Sequence, residues 1–224
     1  MDDLSLTKGV QGIEGIQSIE GTIVVAPTRL SVKVARVISI LLSPVVISVP
    51  FIMLASLYHT SNRRSALLFA LLALFFLTVG PMTYIGIGVL LGKFTDVDVS
   101  VRSQRFGPFI FMLISAMLSL FVIRWLHGPR ELQLMIVVTV ILGLVMTLIT
   151  LWWKISIHAS SMAAALTFLI ALYGTIIIPG VLLLVAVCWS RVVLKRHTFA
   201  QVIAGSLLSS ALTCLILFVV NVQF

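Results

Sequence analysis

Seven apolar stretches, roughly 34–58, 66–91, 107–126, 132–152, 159–174, 176–190 and 199–220, follow one another along the chain. The apolar residues come in unbroken runs, not at every second position as a barrel strand requires. Runs of about 20 residues are the length of a helical membrane crossing. The pattern therefore predicts an all-α fold, a polytopic transmembrane helical bundle of six to seven spans. Pro44 and Pro50 in the first stretch and Pro81 in the second predict kinks. A single helix over 159–190 would be about 48 Å long, against a hydrocarbon core of about 30 Å. Gly174, Pro179 and Gly180 interrupt it, so a hairpin is expected there. Polar turns at His59–Arg64 and His127–Arg130 predict antiparallel neighbours. Gly88 and Gly92 form a GxxxG pair that close helix packing would explain.

Residues 1–30 differ from the rest. Gly9, Gly12, Gly15 and Gly21 make this stretch too glycine-rich for a stable helix, and a mobile or surface-lying tail is expected. The first 22 residues lack a basic region followed by an apolar core, so no cleavable signal is expected. Composition sharpens the picture: 60% of the 224 residues are hydrophobic and 10% are charged. A soluble domain has about 25% charged residues, so a water-soluble globule is excluded. The net charge of +8 has no basic domain with interleaved aromatics beside it, which argues against a nucleic-acid partner. Trp125, Trp152, Trp153 and Trp189 fall near span ends, as interfacial anchors do. Cys188 and Cys214 lie within apolar runs and read as small buried hydrophobes.

Three polar segments interrupt the apolar chain: KFTDVDVSVRSQRFGP from Lys93, KISIHAS from Lys154 and SRVVLKRHTFAQ from Ser190. If 107–152 and 159–190 are each a hairpin, an even number of spans separates all three, and they meet at one membrane face. Arg102, Arg105, Lys154, Ser156, His158, Arg191 and His197 then converge. Cations with a hydroxyl and two imidazoles suit an anionic, phosphate-like substrate. The histidines offer a nucleophile and a general acid. Asp96 and Asp98 read first as surface partners of Lys93 or Arg102, and second as modulators of the site. His59, His127, Lys195 and Arg196 read as ordinary loop or span-end residues.

These segments resemble the type 2 phosphatidic acid phosphatase (lipid phosphate phosphatase) superfamily, whose pattern is K-x6-R-P, then P-S-G-H, then S-R-x5-H-x3-D. The third element stands as Ser190-Arg191, His197 and Gln201, with Gln in place of Asp. The second stands as Ile155-Ser156-Ile157-His158, keeping Ser and His. In the first, Arg105-Phe106 replaces Arg-Pro, and Asp98 stands where the pattern has Lys. The resemblance implies a transmembrane phosphatase-like domain over 31–224, needing no metal or other cofactor and working through a phosphohistidine. His197 would be the nucleophile, His158 the general acid, and Gln201 the group that orients His197. Arg191, Arg105, Ser156 and the amide of Ile157 would bind phosphate, with Arg102 or Lys154 in the place of the missing Lys.

The expected function is an integral-membrane phosphohydrolase of lipid phosphates or diphosphates, its substrate drawn laterally from the bilayer. The alternative is a weakened lipid-binding scaffold or a lipid phosphotransferase, which Gln201 and Asp98 keep open. A prenyl transferase would want repeated Asp-rich motifs, and a zinc protease H-E-x-x-H. The site side carries most of the Lys and Arg. Without the seven cations of the site segments the count is four against four, so orientation stays open. The expected location is a bacterial plasma membrane or an organelle membrane.

Overall fold

The computed structural model describes residues 16–19, 22–25 and 28–220. Ile16–Ile19 and Thr22–Val25 pair as an antiparallel hairpin, with Ile16 opposite Val25. Most of the tail expected over 1–30 lies outside the described residues.

From Arg29 onward the chain is helical. Six helical stretches are long and apolar enough to cross a membrane: Arg29–Leu57, Arg63–Leu90, Arg102–Trp125, Arg130–Trp152, Ile157–Val193 and Phe199–Val219. Most of the large apolar side chains outside the core are exposed, Leu90 and Phe218 among them, forming the surface a bilayer would cover.

Each predicted breaker acts in its own way. The first stretch is α1 (Arg29–Leu41) followed by α2 (Pro44–Leu57). Ser43 caps α2 through a bond from the Val46 amide, and Pro44 occupies the first turn, where a missing N–H costs nothing. The second stretch is α3 (Arg63–Leu74), a π-helical turn Phe75–Val79, and α4 (Gly80–Leu90). Pro81 cannot donate to the turn before it, and the loosened ladder is repaired from outside: Ser115 Oγ donates to the Phe76 carbonyl at 2.6 Å. Ser115 lies on α5 (Phe106–Trp125), which packs against α6 (Arg130–Trp152).

The Gly88–Gly92 pair has a different role from the one expected. Gly92 is the left-handed residue (φ 69°) that ends α4. The Lys93 amide bonds back to the Gly88 carbonyl at 2.8 Å and the Gly92 amide to Val89 at 3.0 Å, a Schellman turn. A Cβ on Gly88 would meet the Phe94 ring at 2.2 Å, so Gly88 makes room for its own loop, not for a neighbouring helix.

The hairpin expected over 159–190 is present. It comprises α7 (Ile157–Tyr173), a 3-10 turn Gly174–Gly180 and α8 (Val181–Val193). Gly174 takes φ 71°, and Met162 and Leu166 of α7 pack on Val187 of α8. The start of α7 and the end of α8 therefore lie at the same face. The last helix, α9 (Phe199–Val219), makes its largest contact with α7. Small residues permit this approach: Gly205 faces the Ser156 carbonyl and Ser160 Oγ, with no room for a Cβ. Around Phe168, which meets Phe51 edge-on at 5.6 Å, side chains from α2, α3, α5, α6, α7 and α9 close the core. The two cysteines are less buried than expected: Cys188 is half-buried and Cys214 is exposed on α9.

Candidate active site

The turn between α8 and α9 explains the spacing of Arg191 and His197. The last turn of α8 closes with Lys195 in the left-handed region (φ 54°), and the amides of Arg196 and His197 both bond to the Arg191 carbonyl, at 3.1 and 3.3 Å. Thr198 then opens α9 with a capping box. Its hydroxyl accepts from the Gln201 amide at 3.3 Å, and Gln201 Oε1 accepts from the Thr198 amide at 3.2 Å. Five residues between Arg191 and His197 are what this reversal uses, so the motif spacing is a folding constraint as well as a chemical one.

Gln201 Oε1 also lies 3.1 Å from His197 Nδ1. Because the backbone amide of Thr198 can only donate, the atom facing it must be the Gln oxygen, and that oxygen accepts a hydrogen bond from Nδ1–H. His197 is thereby held as the Nδ1–H tautomer with Nε2 bearing the lone pair. Burial, and then the cations Arg105, Lys154 and Arg191, push the imidazole down from its ordinary 6.5 to about 3, the Gln201 bond opposing this. At neutral pH His197 is uncharged.

Two buried guanidiniums flank it. Arg105, 2% exposed, donates from Nε to the Val99 carbonyl at 2.9 Å and from Nη1 to the Ile155 carbonyl at 3.1 Å. It thus ties the first polar segment to the second. Val99 holds φ 44°, uncommon for a β-branched residue, while its carbonyl bonds Arg105. Arg191 donates from Nη1 to Ser39 Oγ at 2.6 Å and to Asp98 Oδ2 at 3.2 Å, and its Nε is buried without a partner among the described residues.

His158 sits in the first turn of α7, behind the N-cap Ser156, whose hydroxyl accepts from the Ala159 amide at 3.4 Å. Ser156 is fully buried, and its hydroxyl serves the helix as a cap. The amides of Ile157 and His158 begin the helix and have no acceptor one turn earlier, which leaves them free to donate. His158 Nε2 is buried with no hydrogen-bond partner among the described residues. Lys154 is half-buried; burial first, then Arg105, Arg191 and Arg196, lower its pKa.

The structure therefore brings together Arg105, Lys154, Ser156, Ile157, His158, Arg191, His197 and Gln201. Arg102 makes contacts of another kind: its Nη1 donates to the carbonyls of Thr150, at 3.1 Å, and Leu151, closing the end of α6. Of the two candidates for the missing Lys, Lys154 is the one in the electrostatic reach of His197.

The acids also differ from the first expectation. Asp96 organises its own loop, accepting from the Asp98 amide at 3.0 Å and from Ser100 Oγ at 3.0 Å. Asp98 pairs with Arg191 inside the site, and not with Lys93 or Arg102. Arg196 joins this loop to the α8–α9 turn through Ser100 Oγ at 2.7 Å. Ser39 escaped sequence reasoning altogether. The signal was the pair Ala35 and Ser39, two small residues one turn apart on an otherwise lipid-facing helix.

A cavity of about 320 Å³ opens beside these groups. Ser39, Asp98, Arg105 and His158 line its polar end, and Leu77, Phe109 and Met112 are among its apolar walls. A second cavity of about 190 Å³ shares those apolar walls and continues toward Phe51 and Met135. On the other side of Arg191 lies a polar basin of about 560 Å³, lined by Arg36, Asp98, Lys195 and Arg196.

A multi-pass helical bundle with a cationic, two-histidine site at one end, next to an apolar cavity, is the class of protein these features define. Residues 149–224 match the family model of the PAP2 superfamily, consistent with a PAP2 superfamily member. The match takes in the second and third polar segments and leaves the first outside it. No curated protein and no solved structure matches the chain significantly.

Proposed function

We propose that this chain hydrolyses lipid phosphate monoesters or diphosphates through a phosphohistidine, without a metal ion. The observation that carries this reading is the Gln201 contact, which leaves a neutral His197 with a free Nε2 lone pair among Arg105, Arg191 and Lys154. A neutral imidazole surrounded by cations is a poor base for bulk protons and a good nucleophile toward a phosphate those cations have drawn in.

In the first step Nε2 of His197 bonds to phosphorus while the bond to the leaving oxygen breaks. Arg105, Arg191 and the amides at the start of α7 neutralise charge on the equatorial oxygens. His158, in its protonated form, gives its proton to the leaving oxygen, a step its unpartnered Nε2 supports. In the second step a water molecule attacks phosphorus, His158 takes its proton, the N–P bond breaks, and inorganic phosphate leaves. The apolar cavities beside Phe109 and Met112 support a lipid chain, entering from the bilayer, as the rest of the substrate. The Asp98–Arg191 pair is the observation that favours the scaffold alternative, since it occupies a phosphate ligand.

The test is phosphate release by the detergent-purified protein from phosphatidic acid and from isoprenyl mono- and diphosphates, with EDTA, beside His197→Ala. Release that withstands EDTA and is lost in the variant is the expected result. No release from any of these lipids turns the reading toward the scaffold, and phosphate appearing on an added alcohol turns it toward a transferase.

A further inference from the structure

We propose that Asp98 makes this site selective for lipid phosphates that carry a protonated amine close to the phosphate ester. The inference rests on the phosphatase reading above and names the substrate class of that same site.

Three observations carry it. Asp98 Oδ2 lies 3.2 Å from Arg191 Nη1, and Oδ1 has no hydrogen-bond partner among the described residues. The side chain is 35% exposed, so a ligand can reach the free oxygen. Asp98 also lines both the apolar cavity and the polar basin, and so stands at their junction. A lipid with its chain in the first and its phosphate on Arg191 passes the carboxylate with the atoms next to its ester bond.

Charge then decides what those atoms should be. A bare phosphate dianion on Arg191 comes close to a carboxylate that already shares the guanidinium, and like charges at that range repel. Asp96 does not serve as this acid, because its oxygens are taken by the amide of Asp98 and the amide and hydroxyl of Ser100. An ammonium on the carbon beside the ester-bearing carbon turns the repulsion into a pair: phosphate against Arg191, amine against Asp98. The Arg191–Asp98 couple is in this sense complementary to a zwitterionic head and penalises an anionic one.

The experiment compares three phosphate monoesters of matched long chain. One has an amine on the carbon next to the ester-bearing carbon, one the same amine acetylated, and one a hydroxyl in its place. Phosphate release by the purified full chain gives kcat/KM for each, for the native protein, Asp98→Asn, Asp98→Glu and His197→Ala. The free amine is expected to be favoured by about tenfold or more, mainly through KM. Asp98→Asn should bring the three substrates together, and Asp98→Glu should retain the preference. Equal kcat/KM values in the native protein overturn the proposal. So does a preference that survives Asp98→Asn, or a loss by the same factor on all three substrates, which marks a merely structural role. Failure of the phosphatase reading looks different: no His197-dependent release from any of the three, which removes this proposal with it.

Discussion

His197 Nδ1 and Gln201 Oε1 are 3.1 Å apart, and the same oxygen accepts the Thr198 amide at 3.2 Å. One glutamine therefore caps a helix and selects a histidine tautomer. A carboxylate at this position would do both and would add a negative charge. The amide here is neutral, and burial first, then the neighbouring cations, keep His197 uncharged down to about pH 3.

Replacing Gln201 separates these roles. Gln201→Ala should lower kcat by about tenfold, the scale of one hydrogen bond, and weaken the start of α9 by about 1 kcal/mol. Gln201→Asp keeps the acceptor and adds charge, so it should raise the pKa of His197 while keeping the tautomer. Nitrogen chemical shifts of labelled histidine report both. An unchanged titration in Gln201→Asp would mean the contact is not made.

Acid should destabilise the fold through His197. Its folded pKa of about 3 lies below the ordinary 6.5, so the unfolded chain binds the proton more readily between those values. Stability from this group is complete above about pH 6.5 and falls as pH drops toward 3. Thermal midpoints in detergent across that window should slope downward with acid for the native protein, and less so for His197→Ala.

Arg191→Lys should cost about tenfold to a hundredfold in kcat/KM, as the loss of one charge-assisted bond does. A lysine ammonium cannot donate to Ser39, Asp98 and a phosphate with the same fixed geometry. Inhibition by inorganic phosphate should weaken alongside, which measures binding without turnover.

Gly205→Ala tests the seam between α7 and α9. Its Cβ would sit 2.7 Å from Ser160 Oγ and 3.2 Å from the Ser156 carbonyl. Prying these helices apart should cost about 1–3 kcal/mol and move the start of α7, which carries His158, away from the turn that carries His197. Both the thermal midpoint and activity should fall. A variant as stable as the native protein would show that the two helices are not in close contact.

The bundle was legible because hydropathy reports the environment of each run directly, and Gly174, Pro179 and Gly180 marked the hairpin within the longest run. His197 and Gln201 were singled out by the family resemblance, and local geometry turns their four-residue spacing into contact. Ser39 and Asp98 were not assigned to Arg191 because the three are brought together by tertiary folding, across 152 and 93 residues of chain. The contacts of Arg102 with Thr150 and Leu151 were not legible for a related reason. A cation at a span end can face a ligand or the carbonyls of a neighbouring helix, and its sequence neighbours do not decide which. Gly88 and Gly92 showed a spacing common to two devices, and only the left-handed Gly92 distinguishes a helix end from a packing seam.

The central claim is that His197 takes the phosphoryl group. A lipid phosphate carrying radiolabelled phosphorus, mixed with the purified protein and quenched in alkali within the first turnover, tests it most directly. The expected result is label bound to the native protein, stable in alkali and released by acid, and absent from His197→Ala. Undiminished phosphate release by His197→Ala, or label attached to that variant, would contradict the account.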